Sequence, residues 1–582
     1  MEPPARPLLA QISHYLTQIY PEPGPSCSID SLCQEILAIM RLGDHSTAPT
    51  PHTNNWSEKD IVLITYGDSI TQEGEKPLKV LKRFLDRYCQ PVINSVHILP
   101  FFPFSSDDGF SIIDYDQVNP LLGGWRDIRS IAGDYRLMAD LVINHCSAKS
   151  HWFRNFLRGE GVGHNYFKTV NENDDLRLVV RPRTSPLTRK IDTSNGEQIL
   201  WCTFSHDQID LNFHNPEVLL AFCKIIRHYL DKGVRLFRLD AIAFLWKESG
   251  TACINLPQTH LIVRLLRLLI EFAQHDAVLI TETNIPVTEN LSYFGELDEA
   301  NWVYNFPLPP LLVHTLLTGS SSALKSWLMS MPPALNGTAY FNFIASHDGI
   351  GLRPVEGILS EDEMAQLAET TKRAGGKVSW RTVTGKKDSP YELNISLFDL
   401  LQGDIHGQDD LGEERFICAH VIMLGLEGIP GIYIHSLLGT PNDYERLQRT
   451  GENRSINRRQ WTEERLNVLF SDPSSDQARI YRKMKGLLAI RTAQPAFHPN
   501  ATQYTLQIRP EFFGVWRQSP DRKQSIFAIS NISNEEQTLA LATINLIDNQ
   551  LWYDLLSGDT LNPAHPASHF EPYQSKWITN RL

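Results

Sequence analysis

The sequence predicts an α/β fold: a closed (β/α)8 TIM barrel with an inserted subdomain after its third strand and an all-β domain at the C-terminal end. Three observations predict it. Short apolar strands alternate with helical patterns from about residue 59 to 495, the signature of a parallel sheet wound by crossover helices. Eight strand candidates fall in that stretch. Three of them end in a single acid, at Asp240, Glu282 and Asp348, and the chemistry of such barrels sits at the carboxyl ends of the strands.

Residues 1–58 carry two amphipathic patterns, Leu8 to Tyr20 and Ile29 to Leu42, split by Pro21-Glu22-Pro23-Gly24-Pro25; they predict a helical extension. The barrel follows over 59–495, with strands expected at Ile61 to Tyr66, Ser95 to Pro100, Arg136 to Asn144, Val234 to Leu239, Ala277 to Thr281, Trp302 to Phe306, Tyr340 to Ala345 and Gly431 to His435. Strands three and four lie about ninety residues apart, far more than one crossover helix needs, so an inserted B subdomain is expected over about 146–230. Residues 496–582 switch to short alternating runs, such as Phe512 to Trp516 and Ser525 to Ala528, and predict a small β domain.

The chain has 582 residues, too many for one compact core, and its 42% hydrophobic and 21% charged content is that of a globular protein. A formal charge of -13 disfavours a nucleic-acid or membrane-surface partner and leaves room only for a local cationic pocket. Eight cysteines without a C-x-x-C pair fit reduced thiols. The start, Met1 to Arg6, lacks a signal core, and no apolar run is long enough for a membrane span, so a cytoplasmic location is expected.

Arg238 and Asp240 are two apart on an extended strand and share a face, where the guanidinium is expected to keep Asp240 ionised. Alone, the pair also reads as a structural ion pair. Glu282 follows the apolar Val278-Leu279-Ile280 run, whose low dielectric should raise its pKa toward that of a general acid. An ionised Asp facing a raised Glu is what retaining glycoside chemistry uses: one carboxylate attacks the anomeric carbon and the other protonates the leaving oxygen. Asp348, preceded by His347, supplies a third charge suited to an oxocarbenium-like transition state. His145, after Asp140-Leu141-Val142-Ile143-Asn144, reads as either a sugar-hydroxyl ligand or a satisfied core histidine; no His or Cys cluster suits zinc.

The set Asp140 to His145, Gly233 to Asp240, Glu282 and Ser346 to Asp348 resembles the four sequence regions of the α-amylase superfamily of retaining glycoside hydrolases and transglycosylases. His97 to Phe104, Asp107-Asp108-Gly109-Phe110, Lys247 to Thr251, Asp348 to Gly351 and Arg454 to Arg458 are similar to its sucrose phosphorylase branch. The resemblance implies that Asp240 is the nucleophile, Glu282 the acid/base and Asp348 the transition-state stabiliser. It implies that Arg238, His145 and His347 line a glucosyl pocket closed by Asp107 and Arg454, with Phe110, Phe244, Tyr391 and Glu392 completing the substrate-binding set. Phosphate would meet Arg183 of the Arg181-Pro182-Arg183 turn. Many amylases hold calcium near the residue matching Asn144; with only Glu172, Asp174 and Asp175 nearby in the insertion, no metal and no organic cofactor is expected here.

The expected activity is that of a retaining α-glucoside phosphorylase of the sucrose phosphorylase type, taking sucrose or a similar small α-glucoside and inorganic phosphate to α-glucose 1-phosphate. Alternatives are cleavage of glucosylglycerate, of sucrose 6-phosphate or of glucosylglycerol. A hydrolase or transglucosidase on the same scaffold and a non-catalytic barrel partner protein are further alternatives. Val180, Phe244, Asn284 and Glu392 depart from the sucrose-specific pattern at leaving-group positions, and the segments Ser389 to Asn394 and Thr281 to Asn284 look more like the branch that cleaves glucosylglycerate. A glycerate carboxylate could then meet Arg381, Lys386 or Lys387. A homodimer is the family-level expectation.

Overall fold

The structure, a computed structural model, describes residues 7–22, 28–43, 47–182, 185–381, 389–544, 551–561 and 567–581. Eight parallel strands close into one ring in chain order: β1 (Val62–Thr65), β2 (Ser95–Ile98), β3 (Arg136–Val142), β4 (Val234–Asp240), β5 (Val278–Thr281), β6 (Trp302–Tyr304), β7 (Ala339–Asn342) and β8 (Ile429–Tyr433). Strands β1, β2, β5, β7 and β8 are buried at every position, because a barrel strand is covered on both faces; this is why they read as apolar runs rather than alternations. Several strand boundaries differ from expectation by one to three residues, and two of them bear on the site. Strand β8 begins before Gly431, since the fixed φ of Pro430 suits an extended chain, and it gives way to a helical turn at Ile434–Leu437 that takes in His435. Strand β7 stops at Asn342, so His347 and Asp348 stand on the loop beyond it.

The chain gathers into two compact units, 1–55 with 98–283 and 288–303, and 56–97 with 284–287 and 304–582. In the first, helices α1 (Leu8–Ile19) and α2 (Ile29–Met40) bury Ile12, Leu16, Leu32 and Ile36, and Ser28 Oγ caps α2 by accepting from the Ser31 N–H at 3.0 Å. The β3–β4 register sets Asp140 opposite Arg238 and Val142 opposite Asp240. The stretch before β4 adds an antiparallel pair, His145–Ser147 with Gln208–Asp210, and a hairpin, Thr188–Thr193 with Gly196–Trp201. The chain returns to β4 through the helix Pro216–Asp231, started by Asn215, whose side chain accepts from the Glu217 N–H at 3.0 Å.

In the second unit, Ser389–Asn394 pairs antiparallel with Ile350–Gly351 on one side and Lys377–Arg381 on the other. Near the C-terminal end a six-stranded sheet packs Phe512, Phe527, Ile529, Trp552 and Ile578 into a separate core. Among the described residues no helix is long and apolar enough to cross a membrane.

Candidate active site

Strand β4 delivers Arg238 and Asp240 to one face, and β3 delivers Asp140 beside them. Arg238 is 2% exposed. One Nη1 group serves two acids: it donates to Asp140 Oδ1 through a short bond and to Asp240 Oδ1 at 2.9 Å, while Nη2 lies 3.8 Å from Glu282 Oε2. Glu282 extends the ladder beyond β5 by donating its N–H to the Leu239 carbonyl at 3.1 Å, and its Oε2 accepts from the Ala241 N–H at 3.0 Å. Ala241 makes that bond from a left-handed conformation, φ 50°, which turns the chain sharply at the strand end.

One guanidinium therefore faces three carboxyls. Burial drives the Asp240 carboxyl well above the ordinary carboxylate range, Glu282 and Asp140 push the same way, and Arg238 opposes them without prevailing. The expectation that Arg238 keeps Asp240 ionised is corrected here: the cation is shared with Asp140, and desolvation outweighs it.

Around this group the polar residues of the first unit converge. Asp107 sits in a tight turn, Asp107–Gly109, with φ 54° at Asp107 and 44° at Asp108; non-glycine residues are costly there, so the turn is held from outside. Gln208 Nε2 donates to Asp107 Oδ2 at 3.1 Å, and the hydroxyls of Ser105, Ser106 and Ser111 all bond Asp207 Oδ2. Gly109, at φ 118°, lies so close to Pro100 that a Cβ would meet its carbonyl oxygen at 2.9 Å. The Phe110 ring lies 5.7 Å from the Arg238 guanidinium carbon, and its carbonyl accepts from His145 Nε2 at 2.9 Å. Burial lowers the pKa of His145, which favours the neutral ring with its proton on Nε2. Phe204 packs its ring 5.1 Å from His145 and 5.7 Å from Phe244.

Beside His145 the carboxamide of Asn144 and the carboxylate of Asp210 meet a buried ammonium: Lys247 Nζ donates to Asn144 Oδ1 at 2.7 Å and lies 2.8 Å from Asp210 Oδ2. Lys247 is 2% exposed, and burial lowers its pKa against the pull of Asp210. A fixed cation thus stands on the side-chain oxygen that Asn144 would offer to a calcium ion.

The second unit carries a different arrangement. Arg454 forks the Glu392 carboxylate, Nε to Oε1 at 3.0 Å and Nη2 to Oε2 at 2.6 Å, and gives Nη1 to Asp348 Oδ1 at 2.6 Å. His347 Nε2 lies 3.6 Å and Arg458 Nη2 3.8 Å from the same oxygen. Arg458 also donates Nε to the His347 carbonyl at 2.7 Å and stacks on Tyr66 at 5.6 Å. Glu392 reaches Arg454 because Gly349 lets its strand approach: a Cβ there would meet Glu392 Cγ at 2.6 Å. Tyr391 anchors the same strand, its carbonyl accepting from the Leu352 N–H at 2.9 Å.

Arg454, Glu392 and Arg381 each have an ionic partner. Arg454 is bonded to Glu392 and Asp348, and the Glu392 side chain is 5% exposed. Arg381, a candidate for an acceptor carboxylate, is paired with Glu356 at 2.8 Å. Arg183, Lys386 and Lys387 lie outside the described residues. Sequence reasoning missed Gln208, Phe204 and Asp207, and passed over Lys247 and Arg458 as chemistry. A lysine directly after the apolar run Ala241 to Trp246 was a readable signal, since buried lysines need a partner.

The α-amylase catalytic domain family matches residues 88–361. The chain is 42% identical over 575 residues to a glucosylglycerate phosphorylase of Allomeiothermus silvanus, covering 98% of each. It is 30% identical over 463 residues to a sucrose phosphorylase of Agrobacterium vitis, covering 76% of this chain and 89% of that one. A solved structure of sucrose 6F-phosphate phosphorylase from Thermoanaerobacter thermosaccharolyticum matches with a TM-score of 0.71 at 23% identity, covering 82% of this chain and 94% of the other; that likeness is one of fold.

Proposed function

Because the chain belongs to the sucrose phosphorylase branch of the α-amylase family, we propose that it is a glycosyl-transferring enzyme that phosphorolyses glucosylglycerate. The supporting observation is the extent of the relationship: similarity to a glucosylglycerate phosphorylase runs through 98% of both chains at 42% identity, against 76% of this chain at 30% for a sucrose phosphorylase. The sucrose reading is thereby reduced to a family-level statement, and glycerate replaces fructose as the proposed leaving group. Departures at Val180, Phe244, Asn284 and Glu392 agree with that choice.

The proposed mechanism is a double displacement. Asp240 attacks the anomeric carbon while Glu282 gives its proton to the departing glycerate oxygen, leaving a β-glucosyl ester on Asp240. A phosphate oxygen then attacks the same carbon, its proton passes to the Glu282 carboxylate, the ester bond breaks, and α-glucose 1-phosphate leaves with retained configuration. Arg238 suits the asymmetry this needs. Burial raises the Asp240 carboxyl in the free enzyme, and Arg238, 2.9 Å from Asp240 but 3.8 Å from Glu282, favours the ion on Asp240 over one on Glu282 when the nucleophile is needed. Asp348, held by Arg454, is the proposed stabiliser of the developing positive charge. His145, His347, Asp107 and Phe110 are the proposed glucosyl contacts, and Phe244 and Tyr391 border the acceptor. Lys247 supports an enzyme that needs no calcium at Asn144. The cytoplasm is the proposed location.

Incubating the enzyme with glucose 1-phosphate and glycerate, fructose, fructose 6-phosphate or glycerol tests the reading. Phosphate release should be fastest with glycerate. Release no faster than with water for every acceptor would refute phosphorolysis.

A further inference from the structure

We propose that a cavity beside β6, β7 and β8 is a binding site for a small organic ammonium ion. Its volume is about 410 Å³, enough for a ligand of several heavy atoms, and the residues lining it belong to the second unit. Asn305 reaches it from the end of β6, Tyr340 from β7, Glu427 from just before β8, and Tyr504 from the edge strand Thr502–Thr505 of the C-terminal sheet. The donors around Glu427 are committed within the protein. Ala334 N–H donates to Glu427 Oε1 at 2.6 Å, Tyr340 OH to the Pro332 carbonyl at 2.6 Å, and Glu427 N–H to Gln503 Oε1 at 2.7 Å. Asn342 donates Nδ2 to the Glu427 carbonyl at 2.7 Å, which turns its Oδ1 to accept from Asn305 Nδ2 at 3.0 Å. That chain fixes the Asn305 amide, whose Oδ1 has no hydrogen-bond partner although the residue is only 5% exposed. The Glu427 carboxyl takes one hydrogen bond among the described residues, the one from Ala334, and leaves Oε2 to the cavity.

A carboxylate oxygen and an amide oxygen are both acceptors, so the complementary group is rich in N–H donors. The charges around Glu427 favour a cation. Arg517, the guanidinium that pulls on its carboxyl, gives its N–H groups to the carbonyls of Gly425 at 2.9 Å and His498 at 2.8 Å. Burial outweighs that pull and raises the Glu427 carboxyl to about 7, while burial pushes the Tyr340 phenol up and keeps it neutral. A primary ammonium brings three donors and one charge to this pair of oxygens, which a neutral hydroxyl does not. Its carbon chain would lie on Leu328, Met331 and Pro332, an apolar wall that a hydrated metal ion would not use. Tyr504, 56% exposed and backed by the Trp516 ring at 5.3 Å, offers a π face to the same cation.

Calorimetric titration of the full-length protein with n-butylammonium tests the assignment, with n-butanol as the same chain without charge and tetramethylammonium as a charge without N–H. The parent should prefer n-butylammonium to both by about tenfold or more. Its affinity should rise by about tenfold from pH 6 to pH 8, as Glu427 ionises, and then level off. Glu427→Gln, which keeps an acceptor for Ala334, should weaken binding by about tenfold or more and remove the pH dependence, and Tyr504→Ala should weaken it by about threefold. Asp240→Asn, which alters the catalytic acids, should bind the amine like the parent. Circular dichroism and the melting temperature of each variant check that it folds. No saturable binding by the parent, equal binding of n-butanol or tetramethylammonium, parent-like binding by a folded Glu427→Gln, or loss on Asp240→Asn instead would each overturn the proposal. If Glu427→Gln fails to fold, Tyr504→Ala and the pH profile of the parent decide, and unchanged affinity in both overturns it as well.

Discussion

The two acid clusters of this barrel are built to opposite charge balances. At the end of β4 one buried guanidinium, Arg238, faces Asp140, Asp240 and Glu282. Beyond β7, Arg454 and Arg458 face Asp348 and Glu392. In the first cluster burial raises the Asp240 carboxyl, with Glu282 and Asp140 adding to it against Arg238. In the second, two guanidiniums stand against two carboxylates, an arrangement suited to a charge stabiliser. Carboxylates with similar sequence settings, each at or just beyond the end of a barrel strand, thus receive different chemistry from the number of guanidiniums around them.

Removing the proposed nucleophile should give the largest effect. Asp240→Asn should lower kcat for glucose 1-phosphate formation by on the order of 10⁴-fold or more, while Glu282→Gln should cost about 10² to 10⁴-fold for glucosylglycerate, the proposed substrate, and far less for a glucosyl fluoride, whose leaving group needs no proton. Equal losses on both donors would place the proton elsewhere.

Stability separates the clusters next. Glu392→Ala removes the carboxylate that Arg454 forks and should destabilise the fold by about 3 kcal/mol in urea unfolding, the cost of breaking a largely buried pair. A loss below about 1 kcal/mol would mean the pair behaves as a surface bridge.

The smallest effect has the opposite sign. A carboxyl whose folded pKa is raised costs stability; that cost is absent below the ordinary carboxylate range and grows as pH climbs through the folded value. Asp240→Asn should therefore be no more stable than the parent near pH 4 and more stable near pH 8, by about 1.4 kcal/mol for each pKa unit by which the folded carboxyl lies above its ordinary value. Equal stability of the two proteins across that range would argue that Arg238 fully compensates Asp240.

Much of the fold was legible because a parallel barrel writes itself locally: each strand is a short apolar run, each crossover an amphipathic helix, and all eight strands were placed to within a few residues. The strand-end acids were legible for the same reason, since a lone charge closing a buried run stands out. Partners were not. Gln208 and Phe204 lie in the insertion, tens of residues from Asp107 and His145 in sequence, and only the antiparallel pairing of Gln208–Asp210 with His145–Ser147 brings them together. The pairing of Glu392 with Arg454 was not legible either, because nothing near Glu392 in sequence announces a partner 62 positions on.

By itself, the sequence determined the barrel, the order of the three acids and the branch of the family, because these depend on apolar patterning and on short motifs within single strands. The tertiary structure decided the electrostatic setting of each acid. That depends on how many guanidiniums reach each carboxylate and how much water is excluded, and both are set by side chains from strands and loops that are distant in the chain. The three strand-end acids are alike in sequence; Arg238 shared three ways and Arg454 shared between Asp348 and Glu392 make them different.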